Sequence, residues 1–186
     1  MFNKLFSIIV ILTLLNCSCS HFIILHDPLT AEEHNDLGVA YWSENKLQAA
    51  EREFKKAIAK DKYYWLAYYN LGTILLEKNN ITKSKEFLYK SITYNPEFAD
   101  AYNNLAIAEL KSKNKTRALY FIQLALRYGK EHRYKYLDTL ASYYEQLPDL
   151  NQACAYYHQA AQLAPENEKN AYMEKYNSKC NNITSK

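Results

Sequence analysis

Glycine and proline are scarce in this chain, at 3 and 4 of 186 residues. So few turn-formers exclude a sandwich or barrel built on many tight hairpins. There is no glycine-rich phosphate loop, no nucleophile elbow and no zinc-ligand spacing. The histidines (His21, His26, His34, His132, His158) are scattered, so neither a metal nor another cofactor is expected. The carboxylate pairs Glu32–Glu33 and Glu145–Asp149 lie at a helix start and beside a turn, where solvated charge is ordinary. A non-enzymatic chain is the expectation. The formal charge is only +3, with lysine and arginine mixed among aspartate and glutamate, so nucleic acid is not an expected partner. The one apolar run, Leu5 to Leu15, is too short to span a bilayer comfortably.

What the chain has in abundance is helical periodicity. Residues 65–98 carry two helical patterns, Tyr68, Leu71, Gly72 and Leu75, then Ser84, Leu88, Ser91 and Ile92, closing on Asn95-Pro96. The pattern returns at a period of about 34 residues. Residues 31–64 repeat it with Leu37, Gly38 and Tyr41, then Ala50, Phe54 and Ala57. Residues 99–132 repeat it with Tyr102, Leu105, Ala106, Ala118, Ile122 and Ala125, although Glu109 stands where a large apolar residue is usual. The fourth copy, 134–167, fits after one inserted residue near Gly129. It carries Leu137, Leu140, Ala141, Tyr144, Ala153, Tyr157, Ala160 and Pro165. Small residues at fixed positions imply closely crossing helices, and the large residues between them fill the space. One such pair cannot bury its apolar face, whereas a stack can.

This pattern resembles the tetratricopeptide repeat family. The resemblance implies an all-α fold of helix–turn–helix repeats stacked in a right-handed superhelix. It also implies that the first helix of each repeat lines a concave groove that binds protein. Carried over position by position, the groove comprises Asn35, Val39 and Trp42 in the first repeat. It continues with Leu66, Tyr69, Thr73 and Leu76 in the second, and Asn103, Ile107 and Leu110 in the third beside Asp100. Lys135, Asp138, Ser142 and Glu145 end it in the fourth. Its middle is apolar and aromatic, which suits an extended segment or a helix of a protein partner. The carboxylate clamp of chaperone-binding repeats is absent, because Asn35 and Val39 occupy the positions of its lysine and asparagine.

The first thirty residues are of another kind. A positive start, MFNK, and the apolar run Leu5–Leu15 form the n- and h-regions of an export signal over 1–16. The stretch Leu14-Leu15-Asn16-Cys17 resembles the lipobox of bacterial lipoproteins. It implies cleavage before Cys17, acylation of Cys17 and membrane attachment through lipid rather than through a protein span. Asn16 departs from the small residue usual before the cysteine, and Cys19 is a poorer rival. Ser18 after Cys17 is similar to outer-membrane sorting. An uncleaved anchor, plain secretion and an unexported chain are the alternatives. Residues 17–30 then form a tether, with Phe22 to Leu25 apolar, and Thr30 with Glu33 has the form of a capping box.

In an exported chain, Cys154 and Cys180 acquire meaning. They lie at similar sequence distances on either side of Glu166, so an antiparallel helix pair would bring them together. A disulfide stapling a capping helix over 168–180 is expected, with free buried thiols as the alternative. A lipobox with tandem repeats resembles type IV pilus biogenesis and pilotin lipoproteins, or envelope adaptor lipoproteins. The expected function is a lipid-anchored protein-interaction module of the bacterial envelope. A self-assembling structural protein and, more remotely, a peptidoglycan-acting enzyme are the competing readings.

Overall fold

The computed structural model describes residues 27–180. The expected export signal, Cys17, Cys19 and the apolar part of the expected tether lie outside the described residues. Among those described, every regular element is an α-helix. In chain order they are α1 (Ala31–Ser43), α2 (Leu47–Lys60), α3 (Trp65–Glu77), α4 (Ile81–Tyr94), α5 (Ala99–Lys111), α6 (Lys115–Tyr128), α7 (Arg133–Glu145), α8 (Leu150–Leu163) and α9 (Glu166–Cys180). The first helix opens on the capping box, in which the Thr30 Oγ1 accepts from Glu33 N at 3.1 Å and Thr30 N donates to Glu33 Oε2 at 2.8 Å.

The helices pair α1 with α2, α3 with α4, α5 with α6, and α7 with α8. Each pair is locked by a small residue on its first helix facing a large one on its second. The Phe54 ring crosses Gly38 so closely that an added Cβ would stand 2.5 Å from Cε1. At Gly72 a Cβ would stand 2.8 Å from Leu88 Cγ and 3.2 Å from the Leu88 backbone nitrogen. Ala106 and Ala141 take the same place in the later pairs and are fully buried. The large partners Phe54, Leu88, Ile122 and Tyr157 are at most 2% exposed. Burying such a side chain contributes about 1.5–3 kcal/mol. The approach at Gly72 also admits a hydrogen bond, in which the buried Ser84 hydroxyl donates to the Gly72 carbonyl at 2.7 Å.

Within the first three pairs the chain reverses through one left-handed residue: Asn45 and Asn79 at φ 58°, and Lys113 at φ 59°. The residue after each donates back to the helix, Lys46 N to Tyr41 O, Asn80 N to Leu75 O and Asn114 N to Glu109 O, at 2.8–2.9 Å. This is a Schellman closure. Between pairs, a tyrosine hydroxyl ties down the connection. Tyr68 donates to Lys62 O at 3.1 Å and Tyr102 to Pro96 O at 2.9 Å. The turn at Asp61-Lys62 is thus held without the proline found at Pro96. In the fourth pair the side-chain register is displaced by one residue, with Leu137 rather than Tyr136 following Tyr102. The added residue falls by Gly129, where a Cβ would overlap the Tyr136 ring and Ala99.

The two layers of the stack differ. The backbones of the odd-numbered helices α1, α3, α5 and α7 approach one another in sequence, whereas those of α2, α4 and α6 stay apart and meet through side chains, as Arg117 does with Tyr89. A stack packed more tightly on one side bends toward that side. The odd-numbered helices therefore form the inner face.

The turn residues generate a stability prediction. A lysine in the left-handed region costs about 1 kcal/mol relative to glycine. Lys113→Gly should raise the urea midpoint by the equivalent of about 1 kcal/mol, while Asn79→Ala should lower it. A decrease in the first variant would show that the Lys113 side chain holds that turn.

Candidate functional site: the inner face

The inner face has a polar seam, buried at its first link and half-buried at the others, beneath an open apolar surface. The seam joins each odd-numbered helix to the next. Asn70 Nδ2 donates to Asn35 Oδ1 at 2.8 Å, and Asn104 Nδ2 donates to Thr73 Oγ1 at 2.8 Å. Tyr136 Oη donates to Asp100 Oδ1 at 2.7 Å, and His132 Nδ1 lies 3.0 Å from Asp100 Oδ2. Near the outer rim of the same face, Trp42 Nε1 donates to Glu77 Oε2 at 3.1 Å.

These bonds sort the expected groove residues. Asn35 is buried in the seam, and Asn103 and Leu76 are also buried between helices rather than lining a surface, while Leu110 is buried except where it borders a depression. Val39 is 43% exposed, and Trp42, Leu66, Tyr69, Thr73 and Ile107 are half-buried. The Tyr69 ring meets Phe98 edge-on, with centroids 4.8 Å apart. Burial, and secondly the Asp100 carboxylate, push the Tyr69 hydroxyl up to about 12, so it stays neutral and apolar in character. Ile107, Leu110, Asp138, Thr139 and Ser142 border an open depression of about 290 Å³ between α5 and α7.

Further along, polar groups are bound to the last helix instead of facing solvent. Asp138 receives Lys175 Nζ at 2.6 Å, and Glu145 receives Lys179 Nζ at 2.9 Å and the Tyr157 hydroxyl at 2.7 Å. Tyr134 donates to Glu168 Oε1 at 3.0 Å. Cys154 and the buried Cys180 are joined in a disulfide, with Cα atoms 5.7 Å apart. Desolvation works to raise the Glu145 carboxyl, but the Lys179 and Tyr157 bonds outweigh it and hold the group below its ordinary range. Sequence reasoning missed the seam, because an asparagine at a groove position gives no sign of whether it faces a partner or its neighbour. Among the described residues, no three His, Cys, Asp or Glu side chains come together where they could hold a metal ion, and no helix is long and apolar enough to cross a membrane.

Paired helices repeated in one direction, with an inner face left open, define a helical-repeat scaffold. A family model described as tetratricopeptide repeat matches residues 34–61, 66–98 and 134–167, about half of the chain, and the chain belongs to that family. Residues 99–132, unmatched by that model, form the same helix pair as α5 and α6. A comparison with curated proteins finds no match. Among solved structures, a crystal structure of MamA superposes with a TM-score of 0.62 at 22% identity, covering 76% of this chain and 80% of that one. PilF of Pseudomonas aeruginosa superposes at 0.65 with 20% identity, over 86% of this chain and 79% of that one. A chain from the APC/C hetero-tetramer Cut9-Hcn1 superposes at 0.75 with 16% identity, over 83% of this chain but only 30% of that one. At these identities the likeness is one of fold. The fold is that of a protein–protein interaction scaffold.

Two outcomes follow from the way α9 is held. The bridge closes a loop spanning 26 residues, which corresponds to about 3.5 kcal/mol of unfolded-state constraint. Cys180→Ser should lower the thermal midpoint and speed amide exchange in α9 while leaving α1–α6 protected. Unchanged exchange in α9 would show that its packing alone holds it. Acid should act on the same helix. The folded Glu145 pKa lies below its ordinary value of 4.5. Its contribution is therefore complete above that pH and lost as pH falls through the depressed value. The acid-induced exchange of α9 should be reduced in Glu145→Gln.

Proposed function

We propose that this chain is a lipid-anchored protein-interaction module of the bacterial cell envelope, holding a peptide or helical segment of a protein partner on its inner face. One observation carries the binding part of this reading. Across α1, α3 and α5, Asn35 is bonded to Asn70 and Thr73 to Asn104 between the helices, while Val39, Trp42, Leu66, Tyr69 and Ile107 remain open to solvent or half so. Exposed apolar and aromatic side chains on a rigid curved face supply contact area at small cost in side-chain entropy. The module itself carries no chemistry; it acts by concentrating and orienting its partner. The anchoring part rests on the Leu14-Leu15-Asn16-Cys17 sequence, with Cys17 as the acylated residue and the outer membrane as the destination. Pilus-biogenesis and envelope-adaptor lipoproteins are the groups it would join. The Cys154–Cys180 bridge suits an oxidising compartment such as the periplasm.

A pull-down from detergent-solubilised envelope tests the reading. The full chain is the bait, beside Trp42→Ala/Ile107→Ala on the inner face and Tyr120→Ala on the outer. A partner should be recovered by the full chain and the outer variant and lost with the inner one, whose helical circular dichroism should match the parent. Equal recovery by all three would move binding off the inner face. Metabolic labelling with a clickable fatty acid should mark the chain and be lost in Cys17→Ser but not Cys19→Ser. Labelling that survives Cys17→Ser would overturn the lipid anchor.

A further inference from the structure

The inner face is sharply segregated in charge. Helices α1 and α3, which form its first half, contain Glu32, Glu33, Asp36 and Glu77 and not one lysine or arginine. Glu32, Asp36 and Glu77 are exposed, and Glu33 is occupied by the capping box. The acids lie on the stripe that carries the apolar surface. Asp36 and Val39 are three residues apart, neighbours one turn apart on α1, and Glu77 accepts a hydrogen bond from Trp42. Tyr64, at the start of α3, feels the carboxylates of Glu32 and Asp36, which places α1's acids beside the second repeat. The outer helices α2, α4 and α6 carry the opposite sign, with Arg52, Lys55, Lys56, Lys83, Lys90 and Arg117 all exposed. A formal charge near zero conceals this polarity.

We infer that the first half of the inner face docks a cationic amphipathic peptide segment of a protein partner. Its apolar side chains would lie on Val39, Trp42, Leu66 and Tyr69, and its lysines or arginines would meet Glu32, Asp36 and Glu77. This rests on the groove reading above and names the chemistry of its occupant. Complementary charge is what selects this occupant, because the two helices offer a cation three separate carboxylates and no lysine or arginine of their own, and Lys78 beyond Glu77 is paired with Glu51. The chain's own preceding segment, residues 17–26, contains no lysine or arginine and lacks that complement. A seated partner would shield Val39, which is 43% exposed, and complete the cover of the half-buried Trp42.

The test is selection from a random peptide display library on the detergent-solubilised full chain, with Glu32→Lys/Asp36→Lys as a second bait. Both substituted residues are exposed, so the variant should keep its fold and its circular dichroism. Peptides enriched on the parent should carry net positive charge with aromatic or aliphatic anchors. The best of them should bind the reversed bait about tenfold more weakly at low salt, the loss shrinking as salt is raised. Enrichment of neutral or acidic peptides that compete through Trp42 would overturn the charge assignment and leave the groove reading standing. No enrichment on either bait would overturn both. Concentration-dependent dimers of the parent, abolished in the reversed bait, would make a second copy the occupant and overturn the peptide assignment.

Discussion

The contact between a helix backbone and a large side chain at Gly38–Phe54 and Gly72–Leu88 governs the geometry of this protein. Without a Cβ on one helix, the second settles into its surface, and the Ser84 hydroxyl reaches the Gly72 carbonyl. That depth fixes the crossing within each pair. The crossing fixes where the first helix of the next pair lies, and hence the bend that gathers the odd-numbered helices on one side. Widening one of these contacts by a methyl group would tilt every later pair, since a stack propagates error along its length.

The seam on the inner face is the second constraint. Asn35–Asn70, Asn104–Thr73 and the Asp100–Tyr136–His132 cluster are polar groups that a protein-binding surface might have been expected to show its partner. Bonded to each other, they set the spacing between repeats instead. Satisfied buried polar groups favour one register over its alternatives, whereas apolar packing alone tolerates sliding. The surface left for binding is therefore narrower than the set of groove positions implies, and more apolar.

The repeat was legible because its small and large positions recur at fixed spacing and do not depend on context. Even the displaced fourth copy could be placed, since Leu140 and Ala141 keep the order of Leu105 and Ala106. Glu109 was visible as a misfit but not as what it is. In the folded chain it is 1% exposed between Lys85 and Arg117, at 3.5 and 3.4 Å, so a buried carboxylate is offset by cations from the helices on either side. Periodicity cannot show such pairing, which joins residues of three helices. Tyrosine makes up 18 of the 186 residues, and composition alone does not tell a buried ring from an exposed one. Tyr68, Tyr102, Tyr136 and Tyr157 are buried rings whose hydroxyls find partners on a preceding turn or another helix. The proposed export signal and lipidation site lie in a stretch that processing enzymes rather than packing would read, so helical periodicity bears on neither.

The bridge from Cys154 to Cys180 also changes how the protein would respond to mechanical load. A force applied between its two ends passes across the sulfur–sulfur bond and bypasses the 26-residue span between them. At about 3.5 Å per extended residue, that removes about 90 Å from the length the chain can release. Under tension, the reduced chain would lengthen by that amount beyond the oxidised one. The oxidised protein would keep α9 against α8 while the repeats nearer the N-terminus give way first.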